Sequence, residues 1–399
     1  MVLRCKLHPS SLLIFSLLCL SNCALPLARL APPIIKDDLD AQSLRAAIRN
    51  STTYLQKLPP DRLVGEAPQR LTAKDVLDSL QAFEPLLEVW SCAACLNREL
   101  AARFELVPSS VDPGLSEVLY TGYYQPMIDA SLTPTEEYRY PIYGQPPDLV
   151  IAEPANNGEK NIGRVEQDHF VPYYSRQEID QFGALQGRGL EIAWVKDPVE
   201  LFFLHIQGSG LLRLTDGTVI HVGYAAQNGR PYRSIGRLLI DTGKVAQDEM
   251  SMQRLRRYLA DNPQEQNEIF AYNESYVFFR LVPNGPLGSL EVPVTPGRSI
   301  ATDSRLFPKG ALGLIQTDMP IIGSDGQLAG WRPVTRFVLN QDTGGAIRGL
   351  QRADIYFGNG EEAAASAGYM NRAGKIYFLV LKKDHALHGI DQGAKKNDE

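Results

Sequence analysis

Residues 341–358 read QDTGGAIRGLQRADIYFG and contain two of the three aspartates on which the fold prediction depends. Asp342 precedes a pair of glycines, Asp354 precedes an apolar run, and Asp303 ends the similar segment at 300–303. Each lies at or near the end of a predicted strand among apolar neighbours, where an unpaired carboxylate costs free energy. Two explanations stay open: these aspartates carry chemistry, or they brace tight turns by accepting backbone N–H bonds.

Short apolar segments separated by glycine and proline surround these aspartates and predict a mainly β protein with a few helices. The predicted strands of this region lie at 276–282, 299–302, 312–317, 335–339, 353–356 and 375–381. One short helix interrupts them at 361–369, and Glu361 and Glu362 at its start suit the positive end of the helix dipole.

The middle of the chain is also rich in short segments and predicts a second, smaller β-domain. Its predicted strands lie at 138–143, 191–195, 201–207, 211–214 and 218–222. Asp216-Gly217 is expected to form the hairpin turn between the last two. Helices are predicted after them, at 234–242 and 251–261.

Helices are predicted before the β segments. A weak pattern covers 43–58, and a stronger helix begins at Thr72. Asp75 stands three residues after Thr72, as in a capping box. Pro85 falls inside the apolar pattern that continues to Trp90, so it is expected to kink the helix or split it.

Composition and charge exclude several classes of protein. The hydrophobic share of 44% and the charged share of 22% are those of an ordinary globular chain of 399 residues, which suggests two or three folded units. The formal charge of -6, without a dense basic stripe, argues against a nucleic-acid partner. An uncharged or mildly cationic partner fits better.

The first residues, 1–23, are predicted to be a leader. Two basic residues precede the apolar run at 12–20, which suits a secretory signal better than a membrane span. Two outcomes stay open: lipid attachment at Cys23, which ends a lipobox-like segment, or cleavage at about 24–28. Both place the mature chain in the cell envelope, on the periplasmic side, and lipid attachment would anchor it to the outer membrane.

The remaining cysteines and the histidines predict neither a metal nor a cofactor. Cys92 and Cys95 have C-x-x-C spacing inside a helical segment, with no second pair to complete a zinc site. They are expected to be two half-buried small residues or a local disulfide. The six histidines show no metal-ligand spacing.

Several motifs in a fixed order carry a family resemblance. The motifs are the three aspartate segments and three others: YTGYYQP at 120–126, QGSG at 207–210 and VGYAAQNGRPY at 222–232. Together, between about 119 and 381, they resemble the membrane-bound lytic murein transglycosylase A family. The resemblance implies a double-psi β-barrel domain with a second β-barrel inserted into it, and a glycan groove in the gap.

The expected boundaries follow from the resemblance. Residues 31–125 and 241–382 form the double-psi domain with its N-terminal helices, and its three-aspartate region covers 285–382. Residues 126–240 form the inserted barrel, and 383–399 are a polar tail.

The resemblance also implies a function and a set of site residues. Asp354 is the implied catalytic acid, Asp342 and Asp303 are supporting residues, and the implied sugar contacts are Thr121, Tyr124, Gln207 and Ser209. The implied reaction cleaves the β-1,4 bond between N-acetylmuramic acid and N-acetylglucosamine and leaves 1,6-anhydromuramoyl ends. The partners would be peptidoglycan glycan strands and cell-wall enzyme complexes. Two alternatives stay open: a hydrolase of the same bond, and a non-catalytic wall-binding or wall-loosening module.

The implied chemistry makes a physical demand on Asp354. A single carboxyl that first donates and then accepts a proton must be protonated near neutral pH, whereas a model Asp titrates near ~3.9. Burial and the like charge of Asp342 would raise its pKa. We therefore hypothesise that Asp342 tunes or orients Asp354.

Overall fold

A computed structural model describes residues 35–110, 112–152, 161–283, 285–345 and 347–383. The predicted leader with Cys23, and the predicted tail beyond residue 383, lie outside the described residues. Among those that are described, no helix has the length and apolar character needed to cross a membrane.

The secondary structure of the described ranges is mainly β. Their α-helices are α1 (Ala41–Leu55), α2 (Ala73–Phe83), α3 (Ala93–Arg103), α4 (Arg176–Asp180), α5 (Pro198–Gln207), α6 (Ile235–Asp241), α7 (Met252–Asp261), α8 (Gln266–Tyr272) and α9 (Glu361–Tyr369). Their strands are β1 (Leu63–Gly65), β2 (Leu71–Thr72), β3 (Phe104–Pro108), β4 (Val118–Gln125), β5 (Met127–Ser131), β6 (Tyr140–Tyr143), β7 (Val150–Ala152), β8 (Asn161–Glu166), β9 (His169–Pro172), β10 (Glu191–Val195), β11 (Ser209–Leu214), β12 (Val219–Gln227), β13 (Val277–Val282), β14 (Ser299–Ala301), β15 (Leu312–Ile322), β16 (Leu328–Asp342), β17 (Arg352–Asn359) and β18 (Asn371–Leu381).

The three-aspartate region closes into a β-barrel with one strand from earlier in the chain. The strands pair in the order β15-β16-β14-β17-β4-β18, and β18 pairs again with β15 to close the ring. β4 is parallel to β17 and antiparallel to β18, so it completes the barrel from far away in sequence. The predicted mainly β fold, with a barrel built from this region, is confirmed.

The N-terminal helices pack against this barrel and share its core. The buried apolar residues of α1 and α2 belong to one cluster with those of the barrel strands. Phe83 at the end of α2 meets Phe337 of β16 edge to face, with ring centroids 5.1 Å apart. The helices therefore form one layer of this domain.

The predicted start of α2 is confirmed, and of the two outcomes predicted for Pro85 the structure shows the split. The Thr72 hydroxyl accepts from the backbone N–H of Asp75, and the Asp75 carboxylate accepts from that of Thr72, which completes the capping box. The α-helix ends at Phe83, and Glu84–Val89 continues as a 3-10 helix with Pro85 in its first turn. Pro85 therefore splits the apolar pattern, because its ring cannot donate a helical hydrogen bond.

The inserted region forms a second sheet, in the order β13-β12-β11-β5-β10-β6. A single bridge between Gly144 and Phe279 joins its two edges. The predicted hairpin at Asp216-Gly217 lies between β11 and β12. The expected boundary assigns 241–382 to the first domain, but β13 pairs along its length with β12, so the second sheet extends to Val282.

One predicted strand is wrong. Residues 201–207 belong to α5. This helix begins after Asp197, whose carboxylate accepts from the N–H of Val199. Pro198 lies in its first turn. The helix is buried on most sides, so its apolar run lacks the periodicity that distinguishes a helix from a buried strand. The Asp-Pro start was the signal that could have corrected the prediction.

Cys92 and Cys95 form a local disulfide, one of the two predicted outcomes. Cys92 is the residue before α3, and its sulfur accepts from the N–H of Cys95. In the same helix Asn97 bonds the backbone of Ile35 in both directions, so α3 holds the first described residue.

A buried ion pair ties the N-terminal segment to the barrel. Arg298 and Asp37 are both buried, and their Nη1 and Oδ2 atoms are 2.7 Å apart. Arg298 also donates to the carbonyl oxygens of Phe337 and Asp40, and Asp37 accepts from the N–H of Phe337. All the charged atoms of the pair are thus matched inside the core, where removal of one partner leaves a buried charge.

We expect Asp37→Ala to lower the free energy of unfolding by about 3–5 kcal/mol, because it leaves the Arg298 guanidinium buried without its counter-ion. Urea unfolding followed by circular dichroism measures the change. Arg332→Met is the control: Arg332 is an exposed partner of Asp38, which keeps Arg336, so we expect a change below about 1 kcal/mol. If the two variants lowered the free energy of unfolding equally, the buried Arg298–Asp37 pair would not have the stabilising role assigned to it.

Candidate active site

Strand register brings two of the three aspartates to the same part of the barrel. β14 lies between β16 and β17, and its residue Ala301 pairs with Asp342 on one side and with Asp354 on the other. Two strand spacings of about 4.8 Å separate the two backbones by about 10 Å. The pairing on the β16 side skips Gln341, and this irregularity places Asp342 opposite Ala301.

Asp354 is held at one of its two carboxyl oxygens. Thr121, its register partner on β4, donates its hydroxyl to Oδ1 in a short hydrogen bond. Arg352 Nε lies 3.4 Å from the same Oδ1, and Arg352 Nη2 is 3.2 Å from the Thr121 hydroxyl oxygen. Among the described residues no group bonds Oδ2, and the side chain keeps 18% of its exposure.

The surroundings of Asp354 favour the protonated acid. Burial raises the pKa of Asp354 above its ordinary value, while the Arg352 charge and the Thr121 hydroxyl offset part of that rise. The direction is the one that proton donation near neutral pH requires.

Asp342 is half-buried, and both of its carboxyl oxygens are bonded. Its Oδ1 accepts from the backbone N–H groups of Ser289 and Thr343, at 2.9 and 2.8 Å, and its Oδ2 accepts from the Tyr123 hydroxyl at 2.9 Å. Burial raises the pKa of Asp342 to about 6 against these bonds, and the charge of Asp354 adds to the rise. The charge of Asp354 therefore reaches Asp342, although burial and the hydrogen bonds to Asp342 have larger effects on its pKa.

Asp303 braces a turn by accepting backbone N–H bonds, as one of the two explanations for the aspartates predicts. The side chain is buried, and its oxygens accept from the backbone and guanidinium of Arg305 and from the N–H of Gly349. Burial acts to raise the pKa of Asp303, but these bonds hold it at about 2. Asp303 thus remains ionised and fixes the loop that leads into β17.

Tyr124 and Gln207, two predicted sugar contacts, bond each other. The backbone N–H of Tyr124 donates to the Gln207 side-chain oxygen at 3.1 Å, which ties β4 to the end of α5. The Tyr124 ring is buried against α9, and its hydroxyl accepts from Arg256 at 3.2 Å. These contacts leave Tyr124 little ring surface for a sugar. Ser209 begins β11 and is half-buried, and its sugar contact stays a prediction.

The sequence did not assign a role to Arg352 or Tyr232. Arg352 stands two residues before Asp354 on one strand, and this spacing, which puts both side chains on one face, could have shown their contact. Tyr232 comes from the second domain. Burial raises the pKa of Tyr232, and the charges of Arg352 and Asp354 both act on its hydroxyl. No local pattern predicts that approach, because it depends on the arrangement of the two domains.

No metal centre is evident in the described part of the chain, where no three His, Cys, Asp or Glu side chains are grouped to hold an ion. The site is instead a mostly buried carboxyl with an arginine and a threonine at one oxygen and a second carboxyl nearby.

Comparison with known proteins assigns this arrangement to a family. The model of the MltA specific insert domain matches residues 119–280, and the model of the 3D domain matches residues 298–380. The crystal structure of a membrane-bound lytic murein transglycosylase from Agrobacterium tumefaciens superposes with a TM-score of 0.71 at 32% identity, covering 86% of this chain and 93% of that one. The chain belongs to the membrane-bound lytic murein transglycosylase A family. Its double-psi barrel fold is therefore the family's fold.

Other members of the family are also similar to this chain in structure and in sequence. The structure of Escherichia coli MltA with bound chitohexaose has a TM-score of 0.67 at 26% identity and covers 88% of this chain and 92% of that one. The membrane-bound lytic murein transglycosylases A of Vibrio cholerae and Escherichia coli K12 are 32% and 35% identical to this chain. Each alignment covers 66% of this chain, and the matched segments span 66% and 65% of those relatives' lengths.

We expect Asp342→Asn to lower the pKa of Asp354. Coupling between two charges is mutual, so removing the Asp342 charge favours the carboxylate form of Asp354. At about 10 Å and an effective dielectric constant of about 20, the shift is about one pKa unit. A ¹³C NMR titration of aspartate-labelled protein, with the Asp354 signal assigned from Asp354→Asn, measures it.

Asp216→Asn is the control for this titration, because Asp216 lies in the exposed turn between β11 and β12. It should leave the pKa of Asp354 unchanged. If Asp342→Asn moved that pKa no more than this control, the proposed tuning by Asp342 would be wrong.

Proposed function

We propose that this chain is a lytic transglycosylase of peptidoglycan. It would cleave the β-1,4 bond between N-acetylmuramic acid and N-acetylglucosamine and leave 1,6-anhydromuramoyl ends, with Asp354 as the single acid and then base. Membership of the family supports the class of reaction, and Escherichia coli MltA has been crystallised with chitohexaose. Peptidoglycan glycan strands are the proposed substrate.

The observation that carries the proposal is the contrast among the three aspartates. Asp303 and Asp342 have both oxygens bonded by the protein. Asp354 Oδ2 has no bond from any described residue, and its side chain is partly exposed. Of the three, only Asp354 can exchange a proton with a bound sugar without first breaking a bond.

The reaction then needs two proton transfers and no water. Asp354 Oδ2 gives its proton to the glycosidic oxygen as the bond from that oxygen to C1 of the muramoyl residue breaks. The 6-hydroxyl of the same residue forms the new bond to C1 and returns its proton to Oδ2. Because this nucleophile is tethered to the reacting sugar, its effective concentration is high, and a second catalytic carboxylate is not required.

A hydrolase of the same bond fits the site less well. Glycosidases use two carboxyls, the second of which attacks C1 or activates water. Asp342 is the other aspartate in this part of the barrel, with its backbone about 10 Å from that of Asp354. However, both of its oxygens are bonded, to Ser289, Thr343 and Tyr123. It would have to lose one of these bonds to act as a base.

The substrate implies the location. Peptidoglycan lies in the cell envelope, which agrees with the predicted leader at 1–23 and with the local disulfide between Cys92 and Cys95, a bond that persists in oxidising compartments. Lipid attachment at Cys23 and cell-wall enzyme partners belong to the same proposal.

We expect Asp354→Asn to fold normally and to lose lytic activity by at least about a hundredfold, because asparagine cannot donate the proton. Folding should not suffer, since burial already disfavours the charged form of Asp354. The measurement is the release of 1,6-anhydromuramoyl products from purified glycan strands, with thermal unfolding as the folding check.

Asp325→Asn, in the exposed turn between β15 and β16, is the matched control and should keep full activity. Retained lysis in Asp354→Asn would place the acid elsewhere. Reducing ends in place of anhydro ends would identify a hydrolase, and no new ends with wild-type protein would identify a wall-binding module.

A further inference from the structure

Arg352 is the one charged side chain that directly contacts Asp354 in the described structure. It lies two residues before Asp354 on β17, so the alternation of a strand puts both side chains on the same face. Its side chain is 35% exposed, and its Nε is 3.4 Å from Asp354 Oδ1. Such a pair is weak as a source of stability, because solvent screens it. Its position suggests a role in the chemistry instead.

Arg352 and Thr121 contact each other, and both contact Oδ1 of Asp354. Arg352 Nη2 donates to the Thr121 hydroxyl oxygen at 3.2 Å, and that hydroxyl donates its own proton to Asp354 Oδ1. Because the arginine occupies a lone pair of the threonine oxygen, the hydroxyl proton is directed at Oδ1. Oδ1 therefore receives both the guanidinium and the hydroxyl, and neither donor reaches Oδ2.

We propose that Arg352 is a positioning residue, which acts with Thr121 to keep Oδ1 of Asp354 free of protons, so that Oδ2 alone gives and takes the proton of the reaction. This inference rests on the proposed function for its catalytic consequence. Its structural part, which oxygen is protonated and how strongly, does not.

The two proton transfers explain why such a clamp is useful. Donation requires a protonated Asp354, which burial supplies, and the return step requires that the carboxylate left behind is tolerated at a half-buried place. The guanidinium stabilises that carboxylate through Oδ1 without occupying Oδ2. The clamp also stops the carboxyl from rotating, which keeps Oδ2 directed at the substrate.

The other titratable groups near Asp354 do not stabilise its carboxylate with a positive charge, as Arg352 does. Asp342 at the end of β16 is a like charge, and Tyr123 on β4 is a neutral donor because burial raises its pKa well above the ordinary value. Tyr232, from the second domain, is also a neutral phenol whose pKa is raised by burial. Of these neighbours only Arg352 opposes the effect of burial on the pKa of Asp354 through its charge.

The test compares three variants by two readouts. In Arg352→Met the pKa of Asp354, measured by ¹³C NMR titration, should rise by about one unit, the low end for an ion pair because Arg352 is partly exposed. The alkaline limb of kcat/KM on glycan strands should move to higher pH by the same amount. KM should stay unchanged, and kcat should fall by about tenfold to a hundredfold because the carboxyl is no longer fixed.

Arg352→Lys keeps the charge without the two-pronged contact, so we expect a smaller rise in the pKa of Asp354 and partial recovery of kcat. Thr121→Val should shift the pKa in the same direction as Arg352→Met, because it removes the other donor to Oδ1. It also tests the proposal if Arg352→Met does not fold. Arg237→Met is the control, since Arg237 is an exposed residue of α6 paired with Asp241.

The inference is overturned if Arg352→Met and Thr121→Val move the pKa of Asp354 no more than Arg237→Met does. It is also overturned if Arg352→Met raises KM and leaves kcat unchanged, which would make Arg352 a sugar contact. Failure of the proposed function looks different: Asp354→Asn would remain active or the products would be reducing ends, whereas the NMR titration does not depend on activity.

Discussion

The pairing of β17 with β4 on one side and β14 on the other is the constraint on which the site depends. It sets Asp354 beside Thr121, 233 residues away, and opposite Ala301, which also pairs with Asp342. A one-residue slip of β17 would turn the Asp354 side chain to the opposite face and separate it from both. Closure of the barrel by β15 and β18 fixes this register, because a closed sheet has no edge at which strands can shift.

The pKa values of the three aspartates of this region shift in different directions because their partners differ. Asp303 is held ionised by Arg305 and a backbone N–H, and its pKa is lowered to about 2. Asp342 has donors but no counter-ion among the described residues, and burial raises its pKa to about 6. Asp354 has an arginine at one oxygen only, and its pKa is raised as well. Residue type is therefore a poor guide to protonation here, and the number and charge of the donors decide it.

Sequence patterns predicted the features that depend on local chemistry. The Thr72 capping box, the split at Pro85 and the hairpin at Asp216-Gly217 need only neighbouring residues, and all three are confirmed. Residues 201–207 were assigned to a strand because a helix buried on most sides has no polar face to reveal its period. The partners of Asp354 and Tyr124 are set by pairing over long sequence distances, which no local pattern encodes. Arg352 is the exception, since its spacing from Asp354 was visible.

The inserted domain contacts the barrel at the strand that carries Thr121. Tyr124 lies three residues further along β4. Its backbone N–H donates to the Gln207 side chain, and its hydroxyl accepts from Arg256, which is itself paired with Glu200 of α5. Gly122 allows α9 to lie directly against β4, because a Cβ there would come within 2.7 Å of the Ala367 backbone. β4 is thus packed from both sides within three residues of Thr121. The contacts of α5 and α9 with β4 therefore lie next to the hydroxyl that bonds Oδ1, and they hold in place the strand that positions it.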